Sequence, residues 1–183
     1  MHAIDLADAL AELQPYWLEE PCQSENVEAL AEVRQASRIP VVTGEALYTR
    51  AGFRPILRER AADIINPDVS NCGGILELMF ISAAAETEAI AVSPHNYNST
   101  TLALSATVHA SACMPNFIIT EYFLPFEELG QRLCRNVLKP IDGYIVLPEG
   151  PGLGLDIDEA VVRATTGKRF PARTFRSIAD EGP

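Results

Sequence analysis

Positive charge is scarce in this sequence: 14 Lys and Arg face 25 Asp and Glu, for a formal charge of −11. No basic block occurs, and phosphate backbones are gripped by clustered Lys and Arg, so no nucleic-acid partner is expected. Long apolar runs are also missing. None reaches the roughly 20 residues that a membrane-spanning helix needs, and Met1-His2-Ala3-Ile4-Asp5 has neither the charged start nor the apolar core of a secretory leader. A soluble, cytoplasmic protein with no membrane partner is the expectation. Cysteine is sparse as well: Cys22, Cys72, Cys113 and Cys134 form no Cys-x-x-Cys spacing and sit in no small secreted scaffold, so free thiols are expected. Histidine is limited to three positions. His2 lies at a terminus expected to fray, and His109 falls mid-helix among Ala106, Val108, Ala110 and Ala112, where a packed or surface role is expected.

What remains is enough for a core, since 183 residues with 48% hydrophobic content suit one domain or part of a larger one. The pattern alternates between two periods. Ala3, Leu6, Ala7, Leu10 and Leu13 have helical spacing, and a β-type run, Tyr16-Trp17-Leu18, follows and stops at Glu19-Glu20-Pro21. A second helix opens at Ser24-Glu25-Asn26, with Ser24 as N-cap and Val27, Leu30, Ala31 and Val33 as its buried stripe. Ile39 to Thr43 forms the next strand, ending at Gly44-Glu45, and a helix over 50–60, a strand over 63–66 and Pro67-Asp68 follow. After the turn Asn71-Cys72-Gly73-Gly74, helical spacing from Ile75 to Thr87 leads to a strand over 90–93 and then Pro94-His95. A helix over 101–113 and a strand over 117–120, ending at Glu121, complete five strands alternating with helices.

Helical crossovers return the chain in one direction, so the strands are parallel and their ends share a face. Glu19, Glu45, Asp68, His95 and Glu121 stand at or near those ends, spaced by 26, 23, 27 and 26 residues. One strand, one helix and two loops consume roughly 25 residues, and β/α barrels carry their chemistry where strands end. An open doubly wound sheet is also parallel, but it gathers ligands at one switch point rather than after every strand. The expected fold is therefore α/β, a partial TIM-type (β/α) barrel. Each residue alone has an ordinary alternative: a solvated loop charge for a Glu, a turn or cap for Asp68, a loop histidine for His95. Five in phase argue for one shared mouth. Glu127-Glu128 and Asp156, Asp158 and Glu159 fall outside the repeat and are expected to be solvated, and Gly73-Gly74 is expected to form a tight turn rather than an anion cradle.

Trp17-Leu18-Glu19-Glu20-Pro21, Thr43-Gly44-Glu45, Asn66-Pro67-Asp68 with Gly73-Gly74, Ser93-Pro94-His95-Asn96 and Pro151-Gly152-Leu153-Gly154 together resemble the enolase superfamily. The likeness is to its mandelate racemase subgroup, the mandelate racemase/muconate lactonizing enzyme family, and runs from about Ala3 to Val162. It implies that Glu19 and Glu45 bind Mg²⁺ from the fourth and fifth barrel strands, with Glu20 aimed away as a partner behind the ligands. It also implies an Asp68–His95 dyad for proton transfer, in which the carboxylate fixes the imidazole tautomer and favours its protonated form. Glu121 matches a residue that hydrogen-bonds the substrate carboxylate as charge builds there. The implied reaction abstracts the proton alpha to a carboxylate and stabilises an enediolate with the metal. Return of the proton to carbon gives racemisation or epimerisation of a 2-hydroxy acid, whereas protonation of a departing β-hydroxyl gives dehydration. The interval from His95 to Glu121 resembles that of acid-sugar dehydratases, so dehydration of an aldonate or aldarate is expected. A racemase or epimerase, or a catalytically silent structural or interaction module, is the alternative.

The resemblance also implies parts expected to have no counterpart in this sequence: a third metal-binding carboxylate, a second-strand lysine motif and an N-terminal capping domain. Counting one β/α unit back from Glu19 passes Met1. Weaker metal binding is expected in consequence, with catalysis requiring an N-terminal part. Uncovered sheet edges lead to a homo-oligomer or a complementing barrel segment as the expected partner. Residues 1–125 are expected to form the partial barrel. Residues 126–163 form a C-terminal segment that packs on the capping region in relatives, with a helix over 126–138 and a strand from Gly143 to Pro148, and 164–183 form a poorly ordered tail.

Overall fold

The apolar stripes become helices and the short β-type runs become strands in the computed structural model, which describes residues 3–165 and 167. Helices α1 (Ala3–Ala11), α2 (Val27–Ala36), α3 (Thr49–Arg58), α4 (Ile75–Thr87) and α5 (Thr101–Ser111) alternate with strands β1 (Leu18–Glu19), β2 (Val41–Thr43), β3 (Ile64–Ile65) and β4 (Ala91–Val92). The strands lie side by side in chain order and all run parallel, with Leu18 opposite Val41, Val42 opposite Ile64, and Ile64 opposite Ala91. One helical crossover per strand produces that order, and every strand end therefore faces the same way. Leu30 of α2, Phe53 and Ile56 of α3, and Leu78 and Ile81 of α4 close over Val41, Ile65 and Val92, all of them buried. Each such side chain stabilises the fold by roughly 1.5–3 kcal/mol relative to exposure.

The fifth expected strand is reduced to a single parallel bridge between Val92 and Phe117. Val92 donates to the Asn116 carbonyl and accepts from Ile118 N–H, at 2.9 and 3.0 Å. Two residues on, the sheet presents Pro94, which has no N–H to continue the ladder. Side chains take over from the backbone there: Ser93 Oγ donates to the Ile119 carbonyl at 3.0 Å and Thr120 Oγ1 to the Pro94 carbonyl at 2.7 Å. The 117–120 segment thus stays beside β4 and still delivers Glu121.

Three local expectations are corrected. The N-cap of α2 is Asn26, whose side chain accepts from Ala29 N–H at 3.2 Å, while Ser24 is buried two residues earlier. The helix expected over 126–138 is confined to α6 (Glu127–Leu133), which follows a 3-10 turn at Leu124–Phe126. It stops because Leu133 and Arg135 pair with 156–158: Asp158 N–H donates to Leu133 and Arg135 N–H to Asp156, around an antiparallel bridge from Cys134 to Ile157. No strand forms over Gly143 to Pro148. Ile141 and Tyr144 instead close a two-residue turn in which Asp142 and Gly143 take the left-handed region, at φ of 51° and 82°. Residues 145–148 pair with no strand among the described residues.

The last helix, α7 (Glu159–Thr165), includes Ala164 and Thr165, where a poorly ordered tail is expected; the rest of that tail, Gly167 aside, lies outside the described residues, as does His2. His109 bonds within α5, its Nδ1 lying 2.8 Å from the Ser105 carbonyl. All four cysteines are free thiols. Among the described residues, no helix is long and apolar enough to cross a membrane.

Candidate active site

Strand ends set the site. Glu19 closes β1, Glu45 follows β2 by two residues, and Asp68, His95 and Glu121 leave β3, β4 and the 117–120 segment on the same side. Gly44 makes the second of these exits possible: its φ is +135°, and a Cβ there would stand 2.7 Å from the Phe53 ring. The chain can then turn tightly over the core and bring Glu45 above the sheet.

His95 stands at the centre. Its Nδ1 lies 2.8 Å from Asp68 Oδ2, and its Nε2 lies 3.3 Å from Glu45 Oε2 and 3.8 Å from Glu121 Oε2. Asp68 is itself fixed, since Ser70 N–H donates to its Oδ1 at 2.6 Å. The side chains of His95 and Asp68 are only 11% and 6% exposed, whereas Glu45 and Glu121 are each 37% exposed. Burial pulls the imidazole downward, but the Asp68 bond and the Glu121 and Glu45 carboxylates outweigh it, holding His95 above its ordinary 6.5. The result is an imidazole with one nitrogen anchored and the other facing two carboxylates.

Glu19 completes the group from the other side. Burial pushes its carboxyl above the ordinary 4.5; a hydrogen bond from Trp17 draws it back, while the Glu121 and Glu45 charges raise it further. Glu20, the adjacent carboxylate, points elsewhere, accepting from Thr43 Oγ1 at the end of β2 and from Gly44 N–H just after it, each at 2.9 Å. The five residues of the spacing repeat are thus brought together. Several of their supports were not legible as site residues: Trp17 and Asn66 on Glu19, Asn71 on the Glu45 carbonyl, Asn96 on Glu121. Asn66 and Asn96 stand inside the motifs around Asp68 and His95, and that adjacency was their only signal.

Four carboxylates around one imidazole leave an excess of negative charge that a cation would offset, and the oxygen donors of Glu19 and Glu45 suit a hard ion such as Mg²⁺. The donor type fits, but the number is short: among the described residues no three His, Cys, Asp or Glu side chains are grouped to hold a metal. Elsewhere the carboxylates outside the repeat have other work. Glu127 pairs with Lys139, Asp156 with Arg135, and Asp158 caps α7 at Ala160 and Val161.

Parallel strands that project catalytic-type side chains from one end define the class, a segment of a β/α barrel carrying a strand-end site. The family follows from comparison with known proteins. Residues 1–161 match the family described as "Enolase C-terminal domain-like", and the chain belongs to it, within the mandelate racemase/muconate lactonizing enzyme group of the enolase superfamily. It is 34% identical over 162 residues to a D-galactonate dehydratase of Ralstonia pickettii, covering 84% of this chain and 42% of that protein. It is 30% identical over 159 residues to an arabinonate dehydratase of Saccharolobus solfataricus, covering 87% of this chain and 42% of that protein. Among solved structures, a mandelate racemase/muconate lactonizing enzyme from Sulfitobacter sp. matches with a TM-score of 0.81 at 39% identity, over 88% of this chain and 40% of that one. The chain spans about two fifths of the length of these relatives.

Proposed function

We propose that this chain carries the proton-transfer end of an acid-sugar dehydratase site acting on an aldonate or aldarate. One observation supports the reading above all: His95 has Nδ1 anchored on Asp68 and Nε2 turned toward Glu45 and Glu121. A nitrogen held in this way takes the proton alpha to the substrate carboxylate, and the developing negative charge moves onto the carboxylate oxygens. Glu121, kept in place by Asn96, hydrogen-bonds that carboxylate as the charge grows. His95 Nε2 then gives the proton to the β-hydroxyl, which leaves as water, and the enol becomes a 2-oxo-3-deoxy acid. Glu19 and Glu45 are the residues that would hold Mg²⁺, which when bound supplies positive charge favouring loss of the alpha proton.

The names of the relatives favour dehydration over return of the proton to carbon. Two of them, at similar identity, act by name on different acid sugars, so the reading stops at the substrate class. The barrel portion, up to 125, is proposed to act with the 126–163 segment against a capping region. The outer edges of β1 and of 117–120 carry no further strand among the described residues, and a complementing barrel segment or a second copy is the proposed cover.

The test is incubation with Mg²⁺ and a panel of aldonates and aldarates, alone and with a polypeptide supplying the earlier strands of a relative's barrel, followed by detection of 2-oxo acid. Turnover of at least one acid sugar, abolished by His95→Ala, is expected. No turnover in either arrangement counts against the proposal.

A further inference from the structure

We propose that Trp17 and Asn66 are positioning residues that clamp the Glu19 carboxylate in a fixed orientation. The inference rests on the reading of Glu19 as a cation ligand and adds what holds it. The Trp17 indole N–H donates to Glu19 Oε2 at 3.0 Å, and the Asn66 side-chain N–H donates to Glu19 Oε1 at 2.9 Å. One donor on each oxygen arrests a side chain that otherwise rotates about three bonds. It also leaves each oxygen a lone pair for another partner.

The two donors come from different parts of the sheet. Trp17 precedes β1 by one residue, whereas Asn66 follows β3, so the clamp spans three neighbouring strands. Glu20 is treated differently. Both of its donors, Thr43 Oγ1 and Gly44 N–H, converge on a single oxygen, the pattern of a carboxylate used to tie β1 to β2.

Asn66 supplies a second observation. It is 3% exposed, and its Oδ1 is buried with no hydrogen-bond partner. An orphaned buried acceptor is destabilising. A purely apolar residue at this position would avoid that cost and leave Glu19 Oε1 without its donor.

Trp17 is the only tryptophan in the sequence, so its indole N–H gives one side-chain cross-peak in a ¹⁵N-labelled sample. That peak should move when Glu19→Gln removes the carboxylate charge, with no metal present. Trp17→Phe keeps a ring in this half-buried position and loses only the donor. Its affinity for Mn²⁺, read by electron paramagnetic resonance, should fall about 10- to 100-fold, the usual effect of removing a partner that orients a ligand. Asn66→Ala should act in the same direction, and circular dichroism establishes that each variant folds; should Asn66→Ala not fold, Trp17→Phe decides alone. An indole peak indifferent to Glu19→Gln, or unchanged Mn²⁺ affinity in Trp17→Phe, overturns the clamp. If the wild-type chain binds no Mn²⁺, the ligand reading of Glu19 falls instead, and the indole peak alone decides whether the clamp exists.

Discussion

A buried imidazole on its own resists protonation, because burial favours its neutral form. His95 departs from that rule only through its neighbours: Asp68 on Nδ1, and Glu121 and Glu45 facing Nε2. The dyad is therefore a unit, and Asp68→Asn tests it with almost no change in shape. An amide cannot hold the same charge against Nδ1, and the wrong tautomer becomes available. Any α-proton exchange should fall by roughly 10²- to 10⁴-fold. Mn²⁺ affinity should hold, since Asp68 is not among the proposed ligands. A variant that loses both together would point to collapse of the site rather than loss of the dyad. Gly44 makes a contrasting prediction at the same scale. Gly44→Ala forces a Cβ to within 2.7 Å of the Phe53 ring at a left-handed φ, and should lower stability by about 1–3 kcal/mol in urea unfolding.

Elements meet at the clasp between Tyr122, which follows Glu121, and α6. Glu127 of α6 accepts from Tyr122 Oη at 3.0 Å and pairs with Lys139 Nζ at 2.9 Å. Lys139, and then Tyr122, hold the Glu127 carboxyl below its ordinary 4.5, so its contribution is present above that value and is lost as pH falls through the lower folded value. Burial, and then Glu127, push Tyr122 from 10.0 up to about 12. Its contribution is complete below 10.0 and is lost as pH rises toward 12. Near-UV circular dichroism should therefore show the C-terminal segment best held between these two limits, and Glu127→Gln should remove the acid-side dependence. Elements were legible where packing and periodicity agree, as in α4, whose apolar run from Ile75 to Thr87 is also its extent. They were not legible where one backbone group decides. Pro94 shortens the fifth strand by a missing N–H, and Asp142-Gly143 turns the chain where alternating Tyr144, Val146 and Pro148 imitate a strand.

At the scale of the whole molecule, parallel order converts a repeat along the chain into a ring of side chains. Glu19, Glu45, Asp68, His95 and Glu121 were legible for that reason, since each stands at or near a strand end and strand ends converge. Asn66 was not, because its partner Glu19 is 47 residues away and two strands across. A site with four carboxylates in a chain of charge −11 should gain stability from a divalent cation. Mg²⁺ at 100 times its dissociation constant should add about 2.7 kcal/mol, visible as a higher melting temperature. Glu19→Gln should remove most of that rise. Solvent exchange at carbon decides whether these five residues act as one proton-abstracting site. The chain is incubated with Mg²⁺ and aldonates in D₂O, together with the earlier strands of a relative's barrel, and the α-proton signal is followed by NMR. This signal should disappear for at least one acid sugar, and persist when His95→Asn replaces the wild-type chain. Exchange that is equally fast with the His95→Asn chain would contradict it.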